Sequence, residues 1–537
     1  MNKETTLPPK ETNLAIHPIL FGLYPATYLF HHNINELSAS QAVRAFVACL
    51  ILSITVWLTI KFVLRFRKNQ AALLTSFTLL TFFMYGHIYT YLFQLNIRGW
   101  VLFGIKVGVN TYLLPFWVIT LCMTAYLIAK KGSTCVTFTK VLNIISIVLI
   151  GILSLNILRF QLKQPAYLNQ EAVPASPQSV LTDNKPDIYY IILDEYPRAD
   201  ILQEVLNYDN TKFISALENL GFKVPTKSRS NYCNTTLSIP STMNMDFVHE
   251  PYNTTKGLGI DIAKQGAKKS RLLQYLKALD YYSYSFKTGY IPTEFSDSIY
   301  IDQYLAANKT AVKTENLGLF GNLNPFEFQL VRTTPLLVFS LISDYLQQHR
   351  NNLLFTMENL SKIEPKSKKP IFVFAHLLCP HVPFVFDRQG KYISITSSIE
   401  NLLTVDSNLK EKPENIQEYA THFRDQLIYL NKRILQSVTE ILKRAKRPTV
   451  IIIQSDHGER FLAPIWLGRK NKHHTKTLNF NAIYFPDQQY DDISDDLNNV
   501  NTFRIVINHF LNGTFKMLPK QSYANIDNIF QPIKNNE

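Results

Sequence analysis

The fold is decided by the stretch Thr449-Val450-Ile451-Ile452-Ile453-Gln454, followed directly by Ser455-Asp456-His457-Gly458-Glu459-Arg460-Phe461. The first part has the continuous apolar character of a strand that is buried on both faces of a parallel sheet. Open α/β sheets bind their ligands at the carboxyl ends of such strands. Asp456 and His457 lie at that end, and an Asp–His pair suits Zn²⁺ or Mn²⁺. Gly458 permits a tight turn directly afterwards.

The surrounding sequence predicts a doubly wound, mostly parallel α/β sheet, because apolar strand patterns alternate with helical ones. Strands are expected at 187–193, 281–286, 371–375 and 481–485, and helices at 199–220, 272–279 and 417–445. The helix 417–445 is the clearest, since its apolar residues recur at steps of three and four. Residues 290–365 have no clear assignment, although 335–345 is apolar enough for a packed helix or, less favoured, a membrane-surface helix.

The first 160 residues predict a transmembrane domain of four to five helices. Three segments contain no Asp, Glu, Lys or Arg and approach or exceed the about 20 residues that span a bilayer; they are 71–97, 107–129 and 141–158. A fourth segment, 42–64, has charges only near its ends, where Arg44 and Lys61 can snorkel. The segment 12–35 is also uncharged but contains two prolines, which leaves its span open. The alternative, buried helices of a soluble protein, leaves no polar face for water.

Positive charge in the loops predicts the orientation of these spans. Arg65, Arg67 and Lys68 follow the second span, and a lysine group, Lys130 with Lys131, follows the fourth. The positive-inside rule places both loops in the cytoplasm. Everything after residue 160 then lies outside, so we expect a multi-pass protein of the cell envelope with a periplasmic or cell-surface domain.

Composition and boundaries complete the domain prediction. The formal net charge of +14 favours anionic lipid head groups at the membrane as a partner, because an exported domain seldom meets nucleic acid. Zwitterionic phospholipid is the other lipid partner that we expect. A proline-containing linker is expected at 161–186, a catalytic domain at 187–515 and a C-terminal tail at 516–537.

Three upstream segments contain candidate residues for the rest of a metal site. Asp194 and Glu195 end the first predicted strand, where solvated acids are the alternative. The polar segment 230–238 precedes an expected helix start at Pro240, so its hydroxyls are candidates for anion chemistry or for simple helix capping. His376 and His381 flank a Cys-Pro turn after another strand and are candidates for metal or phosphate binding, while a lone histidine is more often structural.

Together these residues resemble the alkaline phosphatase superfamily, and within it the membrane-anchored sulfatase-like branch of lipoteichoic acid synthases and phosphoethanolamine or phosphoglycerol transferases. The resemblance covers roughly residues 186–486 and the preceding multi-span anchor. It implies one divalent metal ion, Zn or Mn. The resemblance also implies four metal ligands, which are Asp194, Thr235, Asp456 and His457. It implies Thr235 as the nucleophile, with Thr236 as runner-up. The substrate-binding residues that it implies are His381, His376, Arg198 and His474, with His473 as an alternative to His474.

One departure from the family narrows the chemistry. Sulfatases require a Cys-x-Pro-x-Arg or Ser-x-Pro-x-Arg motif that matures to formylglycine, whereas Cys233 is followed by Asn-Thr-Thr-Leu. Hydrolysis of sulfate esters is therefore not expected. A full second set of metal ligands is not evident, which favours a single ion.

The resemblance implies a membrane-anchored transferase that moves a phosphorylated head group from a lipid to a glycan or lipid acceptor through phospho-threonine. The alternatives are a sulfatase-like hydrolase of phosphate or related esters, and a non-catalytic membrane scaffold or transport protein. The intact set of Asp194, Thr235, Asp456 and His457 argues against the non-catalytic alternative.

Two cysteines flank the implied site. Cys233 and Cys379 each precede an implied site residue by two positions, and they are the exported cysteines of the chain. We predict that they lie close together and form a disulfide, with two buried thiols as the alternative.

Overall fold

The computed structural model of the chain describes residues 14–34, 39–94, 100–102, 105–107, 109–131, 134–162, 185–248, 266–296, 298–307, 323–338, 341–364, 369–393, 413–466, 472–526 and 529–533. Most of the predicted linker, 163–184, lies outside the described residues. The chain forms two compact units. The helical unit comprises Met1–Pro165 and Leu323–Leu341, and the sheet unit comprises Ala166–Asn322 and Ile342–Glu537.

Five long helices and a short hairpin build most of the helical unit. The helices are α1 (His17–His32), α2 (Ala39–Leu58), α3 (Lys68–Gln94), α4 (Val109–Ala129) and α5 (Thr134–Leu162). A π-helical turn, Thr59–Val63, continues α2, and the strands β1 (Trp100–Leu102) and β2 (Ile105–Val107) pair antiparallel. Four helical stretches are long and apolar enough to cross a membrane, namely Ala42–Val63, Lys68–Leu92, Val109–Ala129 and Cys135–Phe160.

The first predicted span forms a shorter helix. The helix α1 has 16 residues, fewer than the about 20 that cross a bilayer upright. It contains a polar contact between the buried His17 and Ser76, whose Nδ1 and Oγ lie 2.6 Å apart. Among the described residues, the N-terminal region therefore has four helices of spanning length rather than five.

A segment from the unassigned region 290–365 belongs to the helical unit. It forms α10 (Pro325–Arg332) and a 3₁₀ turn, Pro335–Val338. Phe326 and Leu330 of α10 pack among apolar residues of the first three helices, and the Gly86 N–H donates to the Thr333 carbonyl over 2.9 Å. The carboxylate of Glu327 binds the guanidinium of Arg44 through two oxygens. Arg44 is therefore ion-paired where α10 packs against the other helices. Its position near the end of a predicted span did not indicate this pairing.

The sheet unit contains a six-stranded sheet in the order β5-β4-β6-β3-β7-β8. Its strands are β3 (Asp187–Leu193), β4 (Tyr282–Phe286), β5 (Gln303–Leu305), β6 (Ile371–Leu377), β7 (Thr449–Gln454) and β8 (Asn481–Tyr484). All neighbours are parallel except β8, which runs antiparallel to β7. Every residue of β3, β6 and β7 is buried, as expected for strands covered on both faces. The predicted mostly parallel, doubly wound sheet is confirmed.

Helices cover both faces of this sheet. They are α6 (Ala199–Leu206), α7 (Thr211–Asn219), α8 (Thr235–Asn244), α9 (Arg271–Ala278), α11 (Leu341–Asn359), α12 (Pro413–Arg444), α13 (Leu462–Trp466), α14 (Lys472–Thr475) and α15 (Thr502–Phe510). Short 3₁₀ turns occur at Ile291–Thr293, Leu360–Lys362 and Asn499–Asn501. The predicted helix 199–220 is interrupted, because Asn207 adopts a left-handed conformation that ends α6.

The helix that was expected to start at Pro240 begins five residues earlier, at Thr235. The side chain of Asn234 caps it by accepting from the Leu237 N–H over 3.1 Å. This cap satisfies a first-turn donor and sets the start of the helix. Pro240 lies inside α8, where it leaves one carbonyl without its usual partner.

The C-terminal residues pack against the segment that precedes α8. The strands β9 (Tyr523–Ile526) and β10 (Ile529–Pro532) form a hairpin. The Tyr523 N–H donates to the Asn231 carbonyl over 2.8 Å, and the Ser522 hydroxyl donates to the Ser230 carbonyl over 2.6 Å. The region predicted as a tail therefore supports the loop that leads to Thr235.

Candidate metal centre and nucleophile

Adjacent parallel strands bring three ligand side chains to one point. Asp194 directly follows β3, while Asp456 and His457 follow β7, its neighbour in the sheet. All three side chains are buried, and one possible ligand atom of each lies within 4.8 Å of the others. Because the carboxyl ends of parallel strands share one edge, residues that are far apart in sequence converge there.

The donor set at this point fits a divalent cation. Asp194 Oδ1 and Asp456 Oδ2 are buried and have no hydrogen-bond partner within the described part of the chain. The other Asp456 oxygen accepts from the Glu195 N–H over 3.1 Å. The His457 Nδ1 contacts the Gly458 carbonyl at 2.9 Å, which leaves Nε2 to face Asp194 Oδ1 and Asp456 Oδ2 at 3.9 and 3.4 Å. Two unpartnered carboxylate oxygens and one imidazole nitrogen are typical Zn²⁺ or Mn²⁺ ligands.

Thr235 places its hydroxyl beside this group. It is the first residue of α8, and its Oγ1 lies 3.4 Å from His457 Nε2. The neighbouring Thr236 instead donates its hydroxyl hydrogen to Asn234 Oδ1 over 3.0 Å. The Ser238 hydroxyl donates to the Asp456 carbonyl over 2.5 Å and so ties α8 to the Asp-His loop. Of the two candidate threonines, Thr235 is the one that faces the ligand group.

Gly458 is required by close packing. Its N–H donates to the Lys476 carbonyl over 2.7 Å. A Cβ at this position would lie 2.5 Å from the Thr475 carbonyl oxygen and 2.6 Å from that of Leu478. Backbone atoms at such distances cannot move aside cheaply, so the glycine permits the Asp-His loop to lie against the 475–478 turn.

Histidines hold the first acidic residue in its charged form. His376 Nε2 lies 3.3 Å from Asp194 Oδ2, and His376 Nδ1 contacts the Thr293 hydroxyl at 2.8 Å. Burial alone would raise the pKa of Asp194, but His381, His376 and His457 hold this pKa well below its usual range. Asp194 is therefore a carboxylate at neutral pH, as metal binding requires. His376, implied as a substrate-binding residue, contacts a candidate metal ligand directly.

His381 lies beside Arg460 and Glu195, two residues to which the family resemblance assigned no role. The Arg460 guanidinium contacts His381 Nε2. The Nε and the backbone N–H of Arg460 donate to Glu195 Oε1 over 3.3 and 2.8 Å. Glu195 adopts a φ of 63°. This left-handed turn lets consecutive acids face different partners, since Asp194 meets His457 and Glu195 meets Arg460. Arg460 thus adds a cation close to the candidate ligand group.

A second acid beside Arg460 has an altered pKa. The Glu459 carboxylate accepts from the N–H groups of Phe461, Leu462 and Ala463 over 2.7 to 2.8 Å and caps α13. Burial, and next the charge of Glu195, raise the pKa of Glu459 to about 7. Its contacts give it a structural role at the helix start.

The two remaining implied substrate residues have other neighbours. Arg198 pairs with Asp200 at the start of α6, with Nη2 2.5 Å from Oδ2. His474 is buried in α14, and its carbonyl accepts from Thr477 N–H and hydroxyl groups. Their roles in substrate binding stay predictions.

The predicted disulfide is wrong, because Cys233 and Cys379 are both free thiols. Cys233 Sγ lies 3.5 Å from the His473 carbonyl oxygen and 3.9 Å from that of Tyr523, while Cys379 is fully buried. Proximity in sequence to two site residues did not make the two sulfurs partners, since Cys233 Sγ faces backbone carbonyls of α14 and β9 instead.

Both thiols are expected to resist alkylation in the folded protein. Burial raises the pKa of Cys233 to about 12 and that of Cys379 well above its usual range, and the thiolate is the reactive form. Iodoacetamide at neutral pH should label neither in the native state and both after unfolding without reductant. A non-reducing peptide map with a Cys233–Cys379 cross-link would contradict the structure.

Comparison with known proteins identifies the class. The sulfatase family model matches residues 186–524, so the chain belongs to the sulfatase family, a family of enzymes in the alkaline phosphatase superfamily. No match is found among curated proteins.

Many solved structures are similar to the chain, and three phosphoethanolamine transferases are among them. The C-terminal periplasmic domain of EptC from Escherichia coli, in complex with Zn, is 10% identical with a TM-score of 0.43, over 67% of this chain and 96% of that one. The integral membrane lipooligosaccharide phosphoethanolamine transferase A from Neisseria meningitidis is 11% identical with a TM-score of 0.41, over 92% and 95%. The periplasmic domain of EptC from Campylobacter jejuni is 13% identical with a TM-score of 0.35, over 61% and 90%.

Proposed function

We propose that the protein is a membrane-anchored, metal-dependent transferase that moves a phosphorylated head group from a lipid to an acceptor through phospho-Thr235. The observation that carries this proposal is the Thr235 hydroxyl, 3.4 Å from His457 Nε2 at the start of α8. A threonine at this point, in place of a formylglycine precursor, favours phosphoryl transfer over sulfate ester hydrolysis. The head group is of the phosphoethanolamine or phosphoglycerol type.

The metal ion would be held by four residues, namely Asp194, Asp456, His457 and Thr235. When bound, one Zn²⁺ or Mn²⁺ supplies positive charge that lowers the pKa of a neighbouring hydroxyl and stabilises a phosphoryl group. The two unpartnered carboxylate oxygens support this assignment.

The chain's own residues then perform a double displacement. The Thr235 Oγ bonds to phosphorus, and the bond from phosphorus to the lipid alcohol oxygen breaks. The Thr235 hydroxyl loses its proton in this step, and the departing diacylglycerol oxygen gains one. First-turn N–H groups of α8, His381 and the Arg460 guanidinium hold the non-bridging oxygens. A glycan or lipid hydroxyl then attacks phosphorus, the Thr235 Oγ–phosphorus bond breaks, and Thr235 regains a proton.

The membrane assignment supports a lipid donor. Four helices have the length and apolar composition to cross a bilayer, and the basic loops between them favour an extracytoplasmic sheet unit. We propose that this unit acts in the periplasm or at the cell surface, on anionic or zwitterionic phospholipid.

Peptide mass spectrometry of Thr235 tests the function. The full-length, Zn- or Mn-loaded protein is incubated in vesicles with phosphatidylethanolamine or phosphatidylglycerol, and the mass of a Thr235 adduct identifies the transferred group. An adduct that passes to an added glycan or lipid acceptor supports the transferase. An adduct that only water removes would indicate the hydrolase, and no adduct from either lipid would overturn the proposal.

A further inference from the structure

His349 is a buried histidine that the proposed chemistry does not yet use. It lies in α11 and is 7% exposed. Its Nε2 is buried and has no hydrogen-bond partner among the described residues. A buried polar atom without a partner costs free energy, and few remain in native proteins. Such an atom points to a group that the protein binds.

The helix that carries His349 packs against the segment that follows His381, and the charges of His381 and Asp194 act on its imidazole. The next residue, Arg350, donates from Nη2 to the Gly390 carbonyl over 3.1 Å and lies over the ring of Phe386, 5.3 Å from its centroid. These contacts hold α11 against the segment that follows His381, so the imidazole is held in place by its own helix.

The imidazole of His349 is neutral. Burial, and next the positive charge of His381, lower the pKa of His349 to about 4. A neutral imidazole can donate one hydrogen bond without adding a charge to a site that already contains Arg460 and a candidate metal centre. It therefore suits an anionic oxygen that is already balanced by neighbouring cations.

A second metal ion suits the unpartnered nitrogen of His349 less well than a substrate oxygen does. Within the described part of the chain, the cluster whose possible ligand atoms lie within 4.8 Å of one another consists of Asp194, Asp456 and His457. His349 is outside this cluster. A substrate oxygen, which needs one donor rather than a complete coordination shell, fits a single unpartnered nitrogen.

We propose that His349 is a further substrate-binding residue, whose Nε2–H donates to a non-bridging oxygen of the phosphoryl group held beside His381 and Asp194. This inference rests on the proposed function and deepens it, because it assigns a residue of α11 to recognition of the transferred group. The helix lies in a region of the sequence without a clear secondary-structure pattern, and His349 is not at the end of a strand.

The test compares His349→Leu and His349→Gln in the full-length, metal-loaded protein, with inorganic phosphate as the probe. We expect His349→Leu to weaken phosphate binding about tenfold or more, since a hydrogen bond to a charged group is lost. Its kcat/KM should fall by a similar factor. The melting temperature should not fall, because an apolar side chain replaces an unpartnered polar one. His349→Gln retains an N–H donor and should recover part of the affinity.

His509→Leu is the matched control, since the His509 ring pairs with Asp487 at 2.7 Å; its phosphate affinity should equal that of the wild type. Wild-type phosphate affinity in His349→Leu, or a lower melting temperature with unchanged affinity, would show a structural histidine and overturn the inference. If His349→Leu does not fold, His349→Ala also removes the donor, and wild-type phosphate affinity in that variant would overturn the inference. The Thr235 adduct in the wild-type protein tests the proposed function separately, so each can fail alone.

Discussion

Replacement of Thr235 by alanine is expected to abolish the covalent adduct and to reduce turnover by a factor on the order of 10⁴ or more, as for other nucleophiles. The Thr235 Oγ1 is the atom that bonds to phosphorus. Among the described residues, it is the hydroxyl oxygen that contacts His457 Nε2. The change is small in volume and leaves the Asn234 cap intact. Adduct mass and phosphodiester turnover measure the effect.

Thr236→Ala is the matched control for this prediction. Its hydroxyl donates to Asn234 Oδ1 rather than facing the ligand group, so the variant should retain most of the activity. Thr235→Ser keeps a hydroxyl at the same place and should carry the adduct on serine. Equal turnover in the wild type and Thr235→Ala would refute the assignment of the nucleophile.

The second large effect is expected for Asp456→Asn, which should lose the bound metal ion and with it the activity. Asp456 Oδ1 is engaged by the Glu195 N–H, so the unpartnered Oδ2 is the oxygen available to a cation. Asparagine preserves the volume but removes the negative charge. At a metal concentration a thousandfold above Kd, binding adds about 4 kcal/mol to the free energy of unfolding of the wild type. A chelator should remove this stabilisation from the wild type, and the variant should lack it from the start.

The measurements are metal content by elemental analysis and thermal unfolding with and without EDTA. Without metal, Asp456→Asn should be at least as stable as the wild type, because two converging carboxylates repel each other. Asp496→Asn is the control, since this carboxylate pairs with Lys520 at 2.5 Å away from the ligand group. One equivalent of tightly held metal in Asp456→Asn would refute the proposed centre.

Much of the site was predictable because its residues follow strand patterns. Asp194 and the Asp456–His457 pair come directly after continuous apolar runs, and the carboxyl ends of parallel strands share one edge. Thr235 was less certain, since the adjacent Thr236 was its runner-up. The Asn234 cap sets the start of α8 and thereby decides which hydroxyl faces His457.

Other residues could not be found in this way. Arg460 lay within the motif, but its contact with His381 depends on a loop 79 positions away. The Arg44–Glu327 pair joins residues 283 positions apart. His349 has no strand pattern before it. The disulfide prediction failed for a related reason, because nearness to a site along the chain does not determine where a side chain points.

The sequence by itself determined the class of fold, the apolar helices of spanning length and the candidate ligands at the strand ends, because these depend on local periodicity and on a rule of sheet geometry. The tertiary structure decided which threonine faces His457, how Glu195 and Arg460 surround His381, and that α11 brings an unpartnered imidazole to the site. These features depend on caps, turns and long-range packing, whose energies come from residues that are distant along the chain.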